Sequence, residues 1–175
     1  MKARRLVTWV ALPVAMAVVV SACGGGNSGG GSSGGTVTIG IAEPEHLLPG
    51  NTVESNGFQV DSALFTPLVR FDDDGKTDYS QAAAESITSD DKLVWTVKLR
   101  DGMTFHNGQK VTADSYIKAW NYTAYGPNAQ IGADPFFTRI AGYADMQSPD
   151  GTAPPKATTL SGLQKVDDLT FTVTL

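Results

Sequence analysis

The chain has 175 residues, a formal net charge of −5 and a single cysteine. This length allows one domain with a hydrophobic core, and the acidic charge argues against nucleic acid or anionic lipid as a general partner. A single cysteine excludes a disulfide within the chain.

The first 22 residues have the layout of a secretory signal peptide. Three basic residues among the first five precede an apolar run from Leu6 to Val20. The run is shorter than the roughly 20 apolar residues that a membrane-spanning helix needs, so a permanent span is the weaker interpretation. Removal of this peptide makes the chain more acidic.

Val20-Ser21-Ala22-Cys23 resembles the lipobox of bacterial lipoproteins, with Val20 in place of the usual leucine. In that motif the cysteine thiol carries diacylglycerol, and we therefore predict that Cys23 is a lipid anchor. The alternative is a plain secreted protein with an incidental free cysteine. Residues 24–35 contain only Gly, Ser and one Asn, a composition typical of a flexible linker.

The folded part is predicted to begin at residue 36. Thr36 to Ile41 is rich in β-branched residues and predicts a first strand, followed by a loop over residues 43–57. Ser55 or Asn56 is expected to cap a short helix that ends before Pro67. The apolar residues assigned to this helix are Phe58, Ala63, Leu64 and Phe65.

Residues 68–71 predict another strand, and Asp72-Asp73-Asp74-Gly75 predicts a turn in which carboxylates accept hydrogen bonds from the backbone. A calcium loop is the alternative for the three aspartates. It is disfavoured because the Asp-x-Asp-x-Asp-Gly spacing and its distal glutamate are missing from the sequence.

Two segments alternate between apolar and polar residues. Residues 85–100 predict a hairpin that turns at 89–92, and DDLTFTVTL at 167–175 repeats the pattern. The face predicted for the first hairpin consists of Leu93, Trp95, Val97 and Leu99. Because the chain stops at the second pattern, we expect an N-terminal part of a longer protein whose last strand lacks a partner.

Between these segments lies a predicted helix. It follows an Asn107-Gly108 turn, begins after Thr112 as N-cap and stops at Gly126-Pro127. One stripe of this helix consists of Tyr116, Ile117, Trp120 and Ala124. Residues 135–143 predict a second helical stretch and 147–156 a surface loop, and Trp95 and Trp120 are expected in the core.

The sequence offers little for catalysis. His46 and His106 are the two histidines, and neither has a second ligand of its kind at helical spacing. A zinc site shared by both is a weak alternative, and His106 is more simply a turn residue. Gly-x-Ser-x-Gly occurs only inside the Gly/Ser tract of residues 24–35 and nowhere in the predicted folded part, which shifts the expectation toward a binding protein without metal or cofactor.

The segment from Leu93 to Trp120 resembles the signature of family 5 solute-binding proteins, which serve ABC importers for peptides and nickel. The resemblance extends from residue 36 to the end, and AYGPNAQ at 124–130 is similar to the actinobacterial peptide-binding lipoproteins. The usual Leu-Asp-Pro of the family appears as Leu47-Leu48-Pro49. The matching signature positions are Leu99-Arg100, Gly102, Phe105-His106, Gly108 and Val111-Thr112-Ala113-Asp114.

The resemblance implies an α/β, two-lobed periplasmic-binding-protein-like fold, of which residues 36–175 supply mainly the first lobe. It implies a lipid-anchored, monomeric receptor, and no enzyme, on the extracytoplasmic face of the cell membrane. Such a receptor captures an oligopeptide or dipeptide between closing lobes and passes it to an ABC permease with a cytoplasmic ATPase. Alternatives are a binder of nickel chelates or another small solute, and a surface lipoprotein enzyme or assembly factor.

The resemblance also places candidate ligand contacts. In such proteins the loop after the first strand contributes to the cleft, which indicates Val53, Glu54 and Ser55. Phe136 is a candidate aromatic wall, although packing in the core is the preferred interpretation for this residue. The acidic residue that receives the peptide amino group belongs to a later part of the family and is not in this sequence.

Overall fold

Helices and strands are mixed along residues 36–175, the part of the chain that the computed structural model describes. Within it the helices are α1 (Ser55–Leu64), α2 (Ala113–Ala124) and α3 (Ala133–Phe137), with 3-10 turns at Gly126–Asn128 and Tyr143–Met146. The strands are β1 (Arg70–Phe71), β2 (Thr77–Asp78), β3 (Ala84–Thr88), β4 (Val94–Leu99), β5 (Leu163–Lys165) and β6 (Thr170–Thr174). Residues 39–175 form one compact unit.

The main sheet has four antiparallel strands in the order β3-β4-β6-β5. Its centre is the pairing of β4 with β6, in which Trp95 faces Val173 and Val97 faces Phe171. The expectation of an unpartnered last strand is therefore wrong. The two similar segments alternate in the same way, so β4 and β6 pair with Trp95 and Val97 on the same face as Phe171 and Val173.

The core lies between this sheet and α2. Phe171 is fully buried, its ring stacks on Tyr116 with centroids 5.9 Å apart, and Trp120 meets it edge-on at 5.7 Å. The predicted helix stripe is thus confirmed. Trp95 and Trp120 are partly buried against the core, as expected, whereas Leu93 is exposed because it precedes β4.

The signature segment forms β4, a turn and the capped start of α2. Gly102 and Gly108 have φ values of 79° and 83°, which favour glycine at both turns. Thr112 is the N-cap of α2, as predicted. The Lys165 ammonium lies 2.8 Å from carboxylates of both Asp114 and Asp168, which ties α2 to the second hairpin.

Three expectations about secondary structure need correction. Residues 36–41 have no regular secondary structure, because β propensity makes a strand only where a neighbour takes its backbone hydrogen bonds. The strand predicted at 68–71 is reduced to β1. The second helical stretch divides into α3 and a separate 3-10 turn, since Gly142 between them adopts a left-handed conformation.

The turn after β1 is confirmed. Asp72 Oδ1 accepts hydrogen bonds from the N–H groups of Asp74 and Lys76 at 3.0 and 2.8 Å.

The predicted signal peptide, Cys23 and the linker all lie outside the described residues. Within residues 36–175, no helix has both the length and the apolar character needed to cross a bilayer.

Candidate functional site

The loop that precedes α1 is held in a defined shape by a buried threonine. Thr52 is inaccessible to solvent, and its hydroxyl donates to the carbonyl oxygens of Leu48 and His46 at 3.0 and 3.3 Å. The N–H of Asn51 also donates to Leu48 O at 2.7 Å. The loop therefore presents Val53, Glu54 and Ser55 from a fixed backbone.

Glu54, and neither Ser55 nor Asn56, is the N-cap of α1. Its carboxylate accepts hydrogen bonds from the N–H groups of Asn56 at 2.6 Å and Gly57 at 2.7 Å, and a longer one from Glu45 at 3.3 Å. Glutamate is not among the preferred caps, which is why sequence rules selected its polar neighbours. These amide contacts, led by that of Gly57, hold the pKa of Glu54 below its ordinary value.

We expect Glu54→Gln to remove a pH-dependent part of the stability. Because the folded-state pKa is lowered, the contribution of the ionised carboxylate is fully present above the ordinary glutamate pKa. It is lost as the pH falls through the lowered value. Urea unfolding at pH 7 and pH 3 should therefore show a destabilised variant at pH 7 and a smaller difference at pH 3.

Glu43→Gln, at an exposed position earlier in the same loop, is the matched control and should leave the pH dependence unchanged. A Glu54→Gln deficit of the same size at both pH values would contradict an ionised cap.

The loop is joined to the segment before α3 by two hydrogen bonds. Gly132 N–H donates to Gly50 O at 3.1 Å, and Ile131 N–H donates to Asn51 Oδ1 at 2.9 Å. Gly50 also lies so close to α2 that a Cβ there would collide with the hydroxyl of Thr123. The structure thus brings together two segments that are about 80 residues apart in sequence.

Phe136 lies on the surface of this junction, and the preferred prediction of core packing is wrong. Its side chain is 54% exposed, whereas the neighbouring Phe137 is 8% exposed and packs on Trp120. Phe136 instead contacts Phe58 of α1 edge-on, with ring centroids 6.5 Å apart and planes at 76°. An exposed aromatic pair therefore stands beside the loop.

A concavity of about 250 Å³ lies beside the start of α3, lined in part by Ile131 and Asp134. Its wall is braced where the Tyr143 hydroxyl donates to Asp134. Burial, together with this hydrogen bond, raises the pKa of Tyr143 above its ordinary value, so the hydroxyl stays a donor at neutral pH. Gln147 donates to Ala124 O at 2.9 Å and links the same wall to the end of α2.

The arrangement places the predicted contacts in two groups. Val53 and Ser55 are exposed beside the capping carboxylate, and Phe136 reaches the same surface through Phe58. Sequence reasoning assigned Phe58 to the helix but missed it as a surface residue of the site. The signal was present, since Val53 and Phe58 flank the N-cap at the spacing of a hydrophobic staple.

Nothing in this surface resembles a catalytic or metal centre. Among residues 36–175, no three His, Cys, Asp or Glu side chains gather closely enough to hold a metal ion. The surface exposes the apolar side chains of Val53, Phe58, Ile131 and Phe136, which fit recognition of an organic ligand.

Three proteins similar to this chain are described as binding peptides. Oligopeptide-binding protein OppA of Bacillus subtilis is 33% identical over 127 residues, or 68% of this chain and 23% of that protein. Listeria monocytogenes OppA bound to peptide is 31% identical, with a TM-score of 0.59 over 72% of this chain and 24% of that one. The Escherichia coli murein tripeptide binding protein MppA is 26% identical, with a TM-score of 0.64 over 76% and 25%.

The chain thus spans about a quarter of the length of these relatives. The structural matches confirm the mixed helix and strand fold of a periplasmic binding protein, of which this chain covers a part. Residues 78–175 match the middle region of the bacterial extracellular solute-binding proteins, family 5. This match includes the main sheet, α2 and α3, and the chain belongs to that family.

Proposed function

We propose that the chain is part of a receptor that binds oligopeptides or dipeptides outside the cytoplasmic membrane and delivers them to an ABC permease with a cytoplasmic ATPase. Family membership and two relatives described as oligopeptide-binding or peptide-bound support the peptide class. The receptor releases its ligand unchanged, acts as a monomer and needs no cofactor. Two lobes close over the ligand, and residues 36–175 supply mainly one of them.

The observation that carries this proposal is the joint surface of the loop and α3. Its two segments are fixed to each other by the hydrogen bonds of Gly132 and Ile131, and exposed apolar side chains stand on both sides. We assign Val53, Ser55 and Phe136 to ligand contact. Glu54 serves the same surface by holding the loop on α1, because its carboxylate already accepts backbone hydrogen bonds.

Titration calorimetry of the full-length protein tests the assignment. Alanine peptides of increasing length should bind with saturable heats and be recovered intact, whereas free alanine should not bind. Saturation by a nickel chelate without any response to peptides would replace peptide by metal chelate as the ligand class. Turnover of a bound peptide would instead indicate an enzyme.

We also propose that residues 1–22 are a signal peptide, that Cys23 is lipidated and that residues 23–35 form the tether to a solute-binding domain at 36–175. The charged start, the short apolar run and Val20-Ser21-Ala22-Cys23 support this layout. A tether of this composition has an r.m.s. span of roughly 20 Å, which leaves the domain free to turn at the membrane surface.

Mass spectrometry of the membrane fraction is expected to find a mature N-terminus at Cys23 that carries diacylglycerol. Cys23→Ser should abolish this species and leave the precursor uncut, and Ser21→Ala is a control that keeps the small residue before the cysteine. An unmodified N-terminus elsewhere, with the wild-type protein free in the medium, would contradict the anchor.

A further inference from the structure

The aromatic pair formed by Phe58 and Phe136 differs from the other ring pairs of the described residues. Those pairs join Tyr116, Trp120, Phe137 and Phe171 within or against the core. Phe58 and Phe136 are instead 41% and 54% exposed, while their rings remain in edge-to-face contact. Two large apolar side chains are thus held at an angle to each other with their outer faces open.

The pair is held in place from both sides. Phe58 lies in the first turn of α1, whose N-terminus is fixed by the Glu54 carboxylate through the N–H groups of Asn56 and Gly57. Phe136 lies in α3, whose first turn follows the hydrogen bond from Gly132 N–H to Gly50 O. Because both backbones are fixed before any ligand arrives, little ordering is needed for binding.

The carboxylates nearest in sequence to the two rings are buried or hold hydrogen bonds within the protein, and Asp61, one turn after Phe58, is 8% exposed. Glu54 is surrounded by backbone N–H donors, and Asp134, two residues before Phe136, accepts from the Tyr143 hydroxyl. Exposed apolar side chains accompany the rings on each segment, namely Val53 on the loop and Ile131 before α3. The corner formed by Phe58 and Phe136 therefore offers an exposed apolar contact area, whereas the carboxylate of Asp61 is buried.

From this geometry we infer that Phe58 and Phe136 form a subsite for one apolar side chain, aliphatic or aromatic, of the bound peptide. The inference rests on the proposed peptide-binding function and adds a preference among peptides. Extended peptides bind largely through their backbone, and individual pockets then select side chains. An apolar side chain that enters the corner removes ring surface from water, which a lysine ammonium or a glutamate carboxylate does less well.

The test uses the full-length protein and a set of trialanine peptides in which leucine, lysine or glutamate replaces alanine at each position in turn. The leucine peptide should bind at least about tenfold more tightly than trialanine at one position, a difference of about 1.4 kcal/mol. The double variant Phe58→Ala/Phe136→Ala should reduce that ratio toward one. Phe136→Leu, which keeps an apolar side chain, should retain most of the preference.

Phe105→Ala is the matched control. Phe105 is 45% exposed, but it lies in the turn before α2, whereas the loop of the site contacts the last turn of that helix through Thr123. The control should keep the wild-type preference and affinity. Circular dichroism of all variants verifies that each is folded.

The outcomes separate the subsite from the function on which it rests. Peptide binding with an unchanged leucine preference in the double variant, or a lysine preference in the wild type, would overturn the subsite alone. A large loss of stability in the double variant without a change in preference would also overturn it, since the rings would then be covered by the rest of the protein. Absence of binding by every peptide would overturn the proposed function and the subsite together.

Discussion

Replacement of Phe171 by alanine is expected to lower the free energy of unfolding by about 3–5 kcal/mol. Phe171 is 0% exposed and lies on β6, which pairs with strands on both sides. Its ring contacts Tyr116 and Trp120, so the truncation removes contact from both rings of α2 and leaves a cavity between sheet and helix. Urea unfolding followed by tryptophan fluorescence and by circular dichroism measures the change.

Phe71→Ala is the control for the same loss of a phenyl ring. Phe71 is 66% exposed on the two-stranded β1–β2 ribbon, so its truncation should change the stability by no more than about 0.5 kcal/mol. A loss below about 1 kcal/mol in Phe171→Ala would contradict the claim that packing between the centre of the sheet and α2 contributes strongly to the stability of this domain.

The regular elements could be predicted where side-chain periodicity was long enough to identify a face. β4 and α2 carry such patterns, and the residues predicted on the apolar face of each element pack against one core. The pairing of β4 with β6 could not be predicted, because periodicity says which face of a strand is buried and is silent about its neighbour. Residues 36–41 show the opposite failure, since high β propensity there is not accompanied by a strand.

The candidate site was harder to predict, since it depends on contacts between loops. Phe136 and Phe137 are adjacent, and α3 is too short for its periodicity to decide which ring enters the core. Glu54 was named as a ligand contact, while its carboxylate also caps α1, a role that residue preferences do not suggest. The resemblance to a family named these segments as candidates, and the fold shows that they meet.

The meeting of these segments depends on the absence of a side chain at Gly132. A Cβ at this position would lie 2.6 Å from Gly50 O, well inside contact distance. The backbone of Gly132 has φ −73° and ψ −5°, a conformation that alanine adopts without strain. Any effect of Gly132→Ala therefore comes from the steric contact between the two segments and not from a change in backbone conformational preference.

We expect Gly132→Ala to cost about 1–3 kcal/mol of stability, because the added methyl group forces the loop away and weakens the hydrogen bond from Gly132 N–H to Gly50 O. The same displacement moves Val53 and Phe58 relative to Phe136, so the dissociation constant for peptides should rise at least about tenfold. Urea unfolding and titration calorimetry of the full-length protein measure the two effects separately.

Gly40→Ala is the matched control, since a Cβ there meets nothing within 4 Å, and it should change neither quantity. Lower stability with unchanged peptide affinity would contradict a ligand site at this junction. A methyl group that moves the two segments apart must weaken the binding of any ligand that contacts both of them.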